Sequence, residues 1–208
     1  MKVNELKVVP GLKDTTKNIQ RHGLKFFGIT KFMQENGWRA AGSGSFGTVY
    51  KKKNTEVVIK QMRNKDSGYG SFVNYAKTNK SNPHIPRIAG PFMAGNNVFY
   101  ILEKLEDIHW TTDEYNILEE LISTLEFNRG RRNDHGLNDL TTIAEKYGYK
   151  MVKNVYTKHK TLMKTLLELK HFKGKWIDTD WNPSNFMMRP STGDIVITDP
   201  FYDNDELR

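Results

Sequence analysis

The spacing of apolar positions along the chain changes character twice. In residues 38–60 they come in short β-branched and aromatic runs, Val49-Tyr50 and Val57-Val58-Ile59, with Asn54 as the turn residue between them. That pattern predicts strand, glycine-rich turn, strand, turn, strand. Over residues 67–80, Phe72, Val73 and Ala76 fall on one face of a helix, which Pro83 and Pro86 then break. The unbroken apolar run 98–102 predicts a buried strand. Thr111 and Glu114 have capping-box spacing ahead of Tyr115, Leu118, Leu121, Ile122 and Leu125, an amphipathic helix. Residues 128–138 form a basic, glycine-containing loop. Leu162, Met163, Leu166, Leu167 and Leu169 predict one helix over 155–172, closed by Gly174. Residues 186–188 and 195–197 pair as a short hairpin across Pro190 to Gly193. Residues 24–38 have helix-like stretches, and the polar segment 1–22 has a helix or strap around Thr15 to Gln20. There is no internal repeat.

This order predicts an α+β protein in three parts. Residues 1–37 are an extension, 38–104 a β-rich lobe and 105–208 a helical one, with a hinge just after Leu102. A length of 208 residues suffices for one substantial core or two small lobes, and 37% hydrophobic residues exclude a disordered chain. The apolar runs are too short to span a bilayer, and the N-terminus lacks the apolar core of a signal peptide. Without cysteine there is no disulfide and no thiolate metal site, and the six histidines show no metal-type spacing. A cytoplasmic protein with no membrane partner is expected. The charge is asymmetric: residues 1–100 hold 17 Lys/Arg against 5 Asp/Glu, and residues 101–208 hold 15 against 19. A basic half suits a polyanion and an acidic half suits metal ions, while a nucleic-acid partner is the less favoured reading.

Two segments concentrate the candidate chemistry. The first is Gly42-Ser43-Gly44-Ser45-Phe46-Gly47-Thr48-Val49, followed 13 residues after Gly47 by Lys60. Its glycines lie between two predicted strands rather than between a strand and a helix, which argues against a dinucleotide-binding fingerprint. No Gly-Lys-Ser/Thr follows, so it is not a Walker A loop. A glycine-rich hairpin whose backbone N–H groups approach a polyphosphate fits both facts. The second is Asp180-Trp181-Asn182-Pro183-Ser184-Asn185, with Asp199 14 residues later at the end of a predicted strand.

In this order the two segments resemble the nucleotide and metal apparatus of the protein kinase superfamily. The resemblance implies that Gly42, Ser43, Gly44, Ser45, Phe46, Gly47, Val49, Lys60 and Glu103 hold ATP. It implies that Lys60 pairs with the α- and β-phosphates, that Asp180 accepts the proton of the incoming hydroxyl, and that Asn185 and Asp199 ligate Mg²⁺. Residues 38–202 further resemble the small early serine/threonine protein kinases of T-odd coliphages and their relatives. That likeness is carried by residues 42–49, Val58-Ile59-Lys60, Lys65-Asp66-Ser67-Gly68, Ile85-Pro86, Asp180 with Asn185, and Ile197-Thr198-Asp199-Pro200. It implies a bilobal kinase-like fold and host proteins as substrates, including transcription or defence machinery, in the host cytoplasm.

The departures from the kinase pattern shape what is expected of the activity. No glutamate occurs between Gln61 and Leu102, so the usual helix partner of the lysine is missing, with Asp66 or Glu103 as substitutes. Asp178-Thr179 replaces His-Arg, and Asn182 replaces a frequent lysine. Nine residues after Asp199 leave no room for an activation loop or the later C-lobe helices. These features predict a truncated, slow kinase. The rivals are an inactive kinase-like protein that binds and inhibits a host factor, and a small-molecule phosphotransferase. Arg129, Arg131, Arg132 and Lys51 to Lys53 read as solvated surface. Trp176 and Trp181 read as packing around the Asp180 loop, and Asp203, Asp205 and Glu206 as a short charged terminus.

Overall fold

The computed structural model describes residues 26–43, 47–63, 67–94, 97–109, 111–127, 135–172 and 177–203. The chain is a mixed α+β protein that divides into two compact units, residues 1–105 and 106–208. The strap around Thr15 to Gln20, the helix closure at Gly174, and Trp176, Arg129, Arg131, Arg132, Asp205 and Glu206 lie outside the described residues.

In the N-terminal unit, helix α1 (Phe26–Glu35) leads into β1 (Trp38–Ser43), β2 (Gly47–Lys52) and β3 (Val57–Arg63). Helix α2 (Ser67–Thr78), β4 (Ile88–Ala94) and β5 (Asn97–Glu103) follow. The strands form an antiparallel sheet in the order β1-β2-β3-β5-β4. Asn54 turns β2 into β3 with φ 59°, a conformation asparagine tolerates. The pattern-based reading omitted β4, because Gly90-Pro91 inside Ile-Ala-Gly-Pro-Phe-Met-Ala has the look of a break. Its place at the sheet edge, with a register shift between Ala89 and Phe92, is where proline is tolerated in a strand.

The sheet buries one face fully and the other in part. On one, Ile29 and Met33 of α1 close over Trp38, Tyr50, Val57, Ile59, Ala89, Phe99 and Ile101. On the other, α2 buries Tyr69, Phe72, Val73 and Ala76. The α1 face also carries a polar chain inside the core. Thr30 Oγ1 meets the Tyr50 hydroxyl at 3.0 Å, Tyr50 donates to Gln61 Oε1 at 2.8 Å, and Gln61 Nε2 donates to Asn97 Oδ1 at 3.1 Å. Gln61 has no exposed surface. Buried amides of this kind are tolerated because each group finds a partner.

The C-terminal unit contains the two-residue strand β6 (Glu106–Asp107) and helices α3 (Asp113–Phe127), α4 (His135–Tyr147), α5 (Tyr149–Lys158) and α6 (Lys160–Phe172). Strands β7 (Ile177–Thr179), β8 (Phe186–Met188), β9 (Ile195–Ile197) and β10 (Phe201–Asp203) complete it. They form a β6-β8-β9 sheet, with the β8–β9 hairpin expected from the sequence, and a β7-β10 pair. Helix α3 is the hub. Its inward residues Ile117, Leu118, Leu121 and Ile122 are buried. Around its surface Glu120 takes hydrogen bonds from Lys146 and Tyr147, Glu114 from Lys158, and the Leu125 carbonyl from Lys170.

Three boundaries differ from the pattern. The cap of α3 is Thr112, whose Oγ1 accepts from the Tyr115 N–H at 3.3 Å, one residue beyond the Thr111 of the capping-box reading. Residues 135–138, read as loop, open α4. The single helix over 155–172 is two helices: α5 starts earlier, and the chain breaks step at His159, where the imidazole Nε2 lies 2.9 Å from Glu114 Oε1. Among the described residues no helix is long and apolar enough to cross a membrane.

Two outcomes follow. Gln61→Leu leaves the Tyr50 hydroxyl and the Asn97 amide short of a buried partner and should lower unfolding free energy by about 1–3 kcal/mol in urea titrations. Glu114 is held below its ordinary pKa of 4.5 by the Lys158 hydrogen bond and, with it, His159. A carboxylate depressed on folding stabilises above that value and loses its contribution as pH falls through the folded one. Wild type and Glu114→Gln should therefore converge in melting temperature on acidification below about pH 4.5.

Candidate functional site

The candidate residues fall into two groups, one in each unit. In the N-terminal unit they lie in one row across the sheet. Gly42 pairs with Val49, Val49 with Lys60, and Lys60 with Tyr100. Directly paired residues of antiparallel strands present their side chains on the same face, so the sheet gathers Gly42, Val49 and Lys60 on the face where α2 brings Tyr69 to Lys60. The glycines differ in what requires them. A Cβ on Gly47 would stand 2.2 Å from the Gln61 carbonyl oxygen, so no other residue fits beneath β3 there. A Cβ on Gly42 would meet nothing within 4 Å. Gly42 instead follows a register shift after Ala40 that kinks β1 as it enters the turn. Ser43 Oγ lies 3.2 Å from Thr48 Oγ1, which clasps the two strands at the base of the turn. Gly44, Ser45 and Phe46 lie outside the described residues, as does Asp66.

The Lys60 ammonium stands 3.6 Å from the centroid of the Tyr69 ring. Tyr69 is fully buried on α2, with its ring edge-on to Tyr100 at 5.1 Å and tilted to Phe72 at 6.0 Å. Sequence reasoning sought an acidic residue on this helix and passed over Tyr69. The available signal was the spacing Tyr69, Phe72, Val73, Ala76, which continues the helix's inward face by one aromatic residue.

Glu103 is not placed to act as the partner of Lys60. Lys60 pairs with Tyr100 and Val57 with Glu103, an odd offset along both strands, so the two side chains leave opposite faces of the sheet. The Glu103 carboxylate is engaged by Arg87: Oε1 accepts from its backbone N–H at 3.0 Å, and Oε2 lies 3.8 Å from its guanidinium. A buried carboxylate, 6% exposed, needs such donors.

In the C-terminal unit, the structure stitches Asp180, Asn185 and Asp199 into one assembly. The Asp180 N–H donates to the Pro200 carbonyl at 2.8 Å, continuing the β7-β10 pairing. Asn185 Nδ2 donates to the Asp180 carbonyl at 3.1 Å. Thr198 returns with two bonds to the Asn185 carbonyl, from N–H at 2.8 Å and from Oγ1 at 3.0 Å. Asp199 thus sits between two residues that are each fastened to the Asp180–Asn185 loop. All three candidate side chains are half-buried.

Asn182 shapes that loop. Its Oδ1 accepts from the Ser184 N–H at 3.0 Å and the Ser184 hydroxyl at 2.8 Å, capping a single helical turn over Pro183–Asn185. Its own N–H donates to Asp180 Oδ1 at 3.1 Å and orients the carboxylate. Trp181, between Asp180 and Asn182, is 4% exposed. Asp178 is also buried: its Oδ1 accepts from the Thr179 N–H, and its Oδ2 lies 3.5 Å from the Tyr202 hydroxyl.

Among the described residues no group of three His, Asp or Glu side chains could cage a metal by itself. The donors at hand are the Asp199 carboxylate and, because Nδ2 is spent on Asp180, the amide oxygen of Asn185. Hard oxygens in that number suit Mg²⁺ shared with phosphates, an ion that keeps several waters. No family model matches the chain, and no curated protein matches it in sequence.

Asn182→Ala removes the cap and should cost about 0.5–2 kcal/mol in chemical denaturation, whereas Asn182→Asp, which keeps the acceptor oxygen, should cost less.

Proposed function

We propose that the chain is an ATP- and Mg²⁺-dependent protein kinase that phosphorylates serine or threonine hydroxyls, with its two units as the lobes of a minimal kinase-like fold. The observation that carries this reading is the stitched assembly of Asp180, Asn185 and Asp199. Three residues spread over 20 positions are fastened through main-chain carbonyls, in the order and spacing that base and metal ligands need. The Gly42–Val49–Lys60 row supports it with a cation beside a glycine-rich hairpin.

In this reading Lys60 binds the α- and β-phosphates, and Gly42, Gly44 and Gly47 let the hairpin backbone approach them. Asn185 Oδ1 and Asp199 would hold Mg²⁺, which would supply positive charge for the transferring phosphoryl group. Asp180 Oδ1 is fixed by Asn182, so Oδ2 receives the proton of the acceptor hydroxyl. The hydroxyl oxygen bonds to the γ-phosphorus, the bond to the departing ADP oxygen breaks, and the proton stays on Asp180. Catalysis is then mostly positioning. The choice of protein hydroxyls, the phage setting and host targets rest on the resemblance at 65–68, 85–86 and 197–200.

The test is transfer from γ-labelled ATP with Mg²⁺ into bacterial lysate proteins and into the chain itself. Label on serine or threonine should fall at least about 100-fold in Asp180→Ala, the lower end of the range for losing a positioned base. Label only in small metabolites would favour a small-molecule phosphotransferase. Tight ATP binding with equal, negligible transfer in both proteins would favour a non-catalytic binder.

A further inference from the structure

Helix α2 brings no glutamate to the sheet, yet the Lys60 ammonium is engaged from that side. Tyr69 presents its ring face to the cation at 3.6 Å from the centroid, well inside the range of about 6 Å in which a ring quadrupole attracts an ammonium. The ring is braced rather than free to turn. Tyr69 and Phe72 are fully buried, Tyr100 is 6% exposed, and the Tyr69 ring meets Phe72 in a tilted and Tyr100 in an edge arrangement. Tyr100 is also the cross-strand partner of Lys60, so stem and platform share one support.

We propose that Tyr69 is the positioning residue for Lys60, its ring face setting where the ammonium meets the nucleotide phosphates. The role rests on the kinase reading above. An aromatic platform differs chemically from a carboxylate in two ways. It attracts the cation through its quadrupole and carries no net charge to neutralise it. It also cannot be protonated, so acid does not release the lysine. A mechanical difference follows. Tyr69 is a core residue of α2, and the helix cannot swing away to disengage the lysine without also uncovering Phe72, Val73 and Ala76. Nucleotide affinity is therefore built in rather than gated by movement of this helix.

The experiment has two independent readouts on the full chain. Lysine side-chain NMR follows the ε-CH₂ resonance of Lys60, assigned by its disappearance in Lys60→Met. A methylene beside a ring face is shifted upfield by the ring current. Calorimetric titration with MgATP gives the affinity. The upfield resonance should be present in wild type and Tyr69→Phe and absent in Tyr69→Leu. Affinity should be preserved within about twofold in Tyr69→Phe. It should weaken about 5- to 30-fold in Tyr69→Leu, which corresponds to about 1–2 kcal/mol at 1.4 kcal/mol per tenfold. A polyfluorinated phenylalanine at position 69 keeps the shape of the ring while withdrawing its negative face, and it gives the same test should Tyr69→Leu fail to fold. It should weaken MgATP binding while leaving the melting temperature near that of Tyr69→Phe. No upfield resonance in wild type overturns the platform whatever the protein binds. An upfield resonance in a wild-type protein that ignores MgATP overturns the kinase reading, and the positioning role with it. Unchanged affinity in the folded leucine and fluorinated variants overturns the positioning role alone.

Discussion

Strand β3 is hydrogen-bonded on both edges, to β2 and to β5, and one of its faces is fully buried while the other is partly covered, so the alternation of its side chains is constrained. Val57, Ile59 and Gln61 belong to the α1 face; Val58, Lys60 and Met62 belong to the other. A slip of one residue would exchange the two sets. It would drive the Lys60 ammonium into the closed core beneath α1 and strand the Gln61 amide outside its hydrogen-bonded chain. Burying an uncompensated charge costs several kcal/mol. The Tyr50–Gln61–Asn97 chain thus does more than satisfy buried groups: it specifies the register that aims Lys60 at Tyr69. Gly47 adds a second lock, since only a missing side chain lets β2 lie against the Gln61 carbonyl.

The C-terminal unit achieves order by another route. Its strands are two or three residues long, too short to fix a register by pairing alone. The loop from Asp180 to Asn185 is held instead by side chains that bond locally, Asn182 to Ser184 and Asn185 to Asp180, and by Thr198 closing the circuit. Asparagine, serine and threonine suit such work because their short polar side chains compete readily for nearby backbone groups. The helices supply the base for it. Carboxylates of α3 bind α4 and the α5–α6 junction over a buried aliphatic stripe.

Strands β2, β3, β5, β8 and β9 and helices α2 and α3 were legible in the sequence because their apolar positions coincide with burial, and β1 was legible from the glycine-rich turn that follows it. Strand β4 was not, since Gly90-Pro91 has the local signature of a break and only its edge position makes it a strand. The interruption at His159 was equally hidden, because the apolar spacing of Leu162 to Leu169 runs on without regard to a histidine that reaches Glu114 on another helix. In the candidate site, Asp180, Asn185 and Asp199 could be picked out by order and spacing. Glu103 could not be placed, because which face a strand residue occupies depends on the register with its neighbour. Tyr69 was passed over, and Asn182 was read only as standing where a lysine is frequent, for a related reason: each acts by contact or capping geometry, which a sequence does not display.

The two candidate groups, one in each unit, are both held largely by contacts other than exposed ion pairs. The loop is anchored through the main-chain carbonyls of Asp180, Asn185 and Pro200 and through the nitrogen of the Asn185 amide. That frame fixes where the Asp180, Asn185 and Asp199 side chains leave the chain. Lys60 is set by its strand and by a ring that engages its charge without cancelling it. Interactions of this kind confer preorganisation, in which orientation is established by folding rather than by the ligand. They also make the arrangement dependent on packing. An ion pair between exposed side chains is weakened by salt, whereas a buried aromatic platform and a carbonyl-anchored loop fail only as the surrounding core loosens. The geometry of the two candidate groups is therefore tied to the integrity of α2 against the sheet and of the β7–β10 pair, more than to any single charged contact.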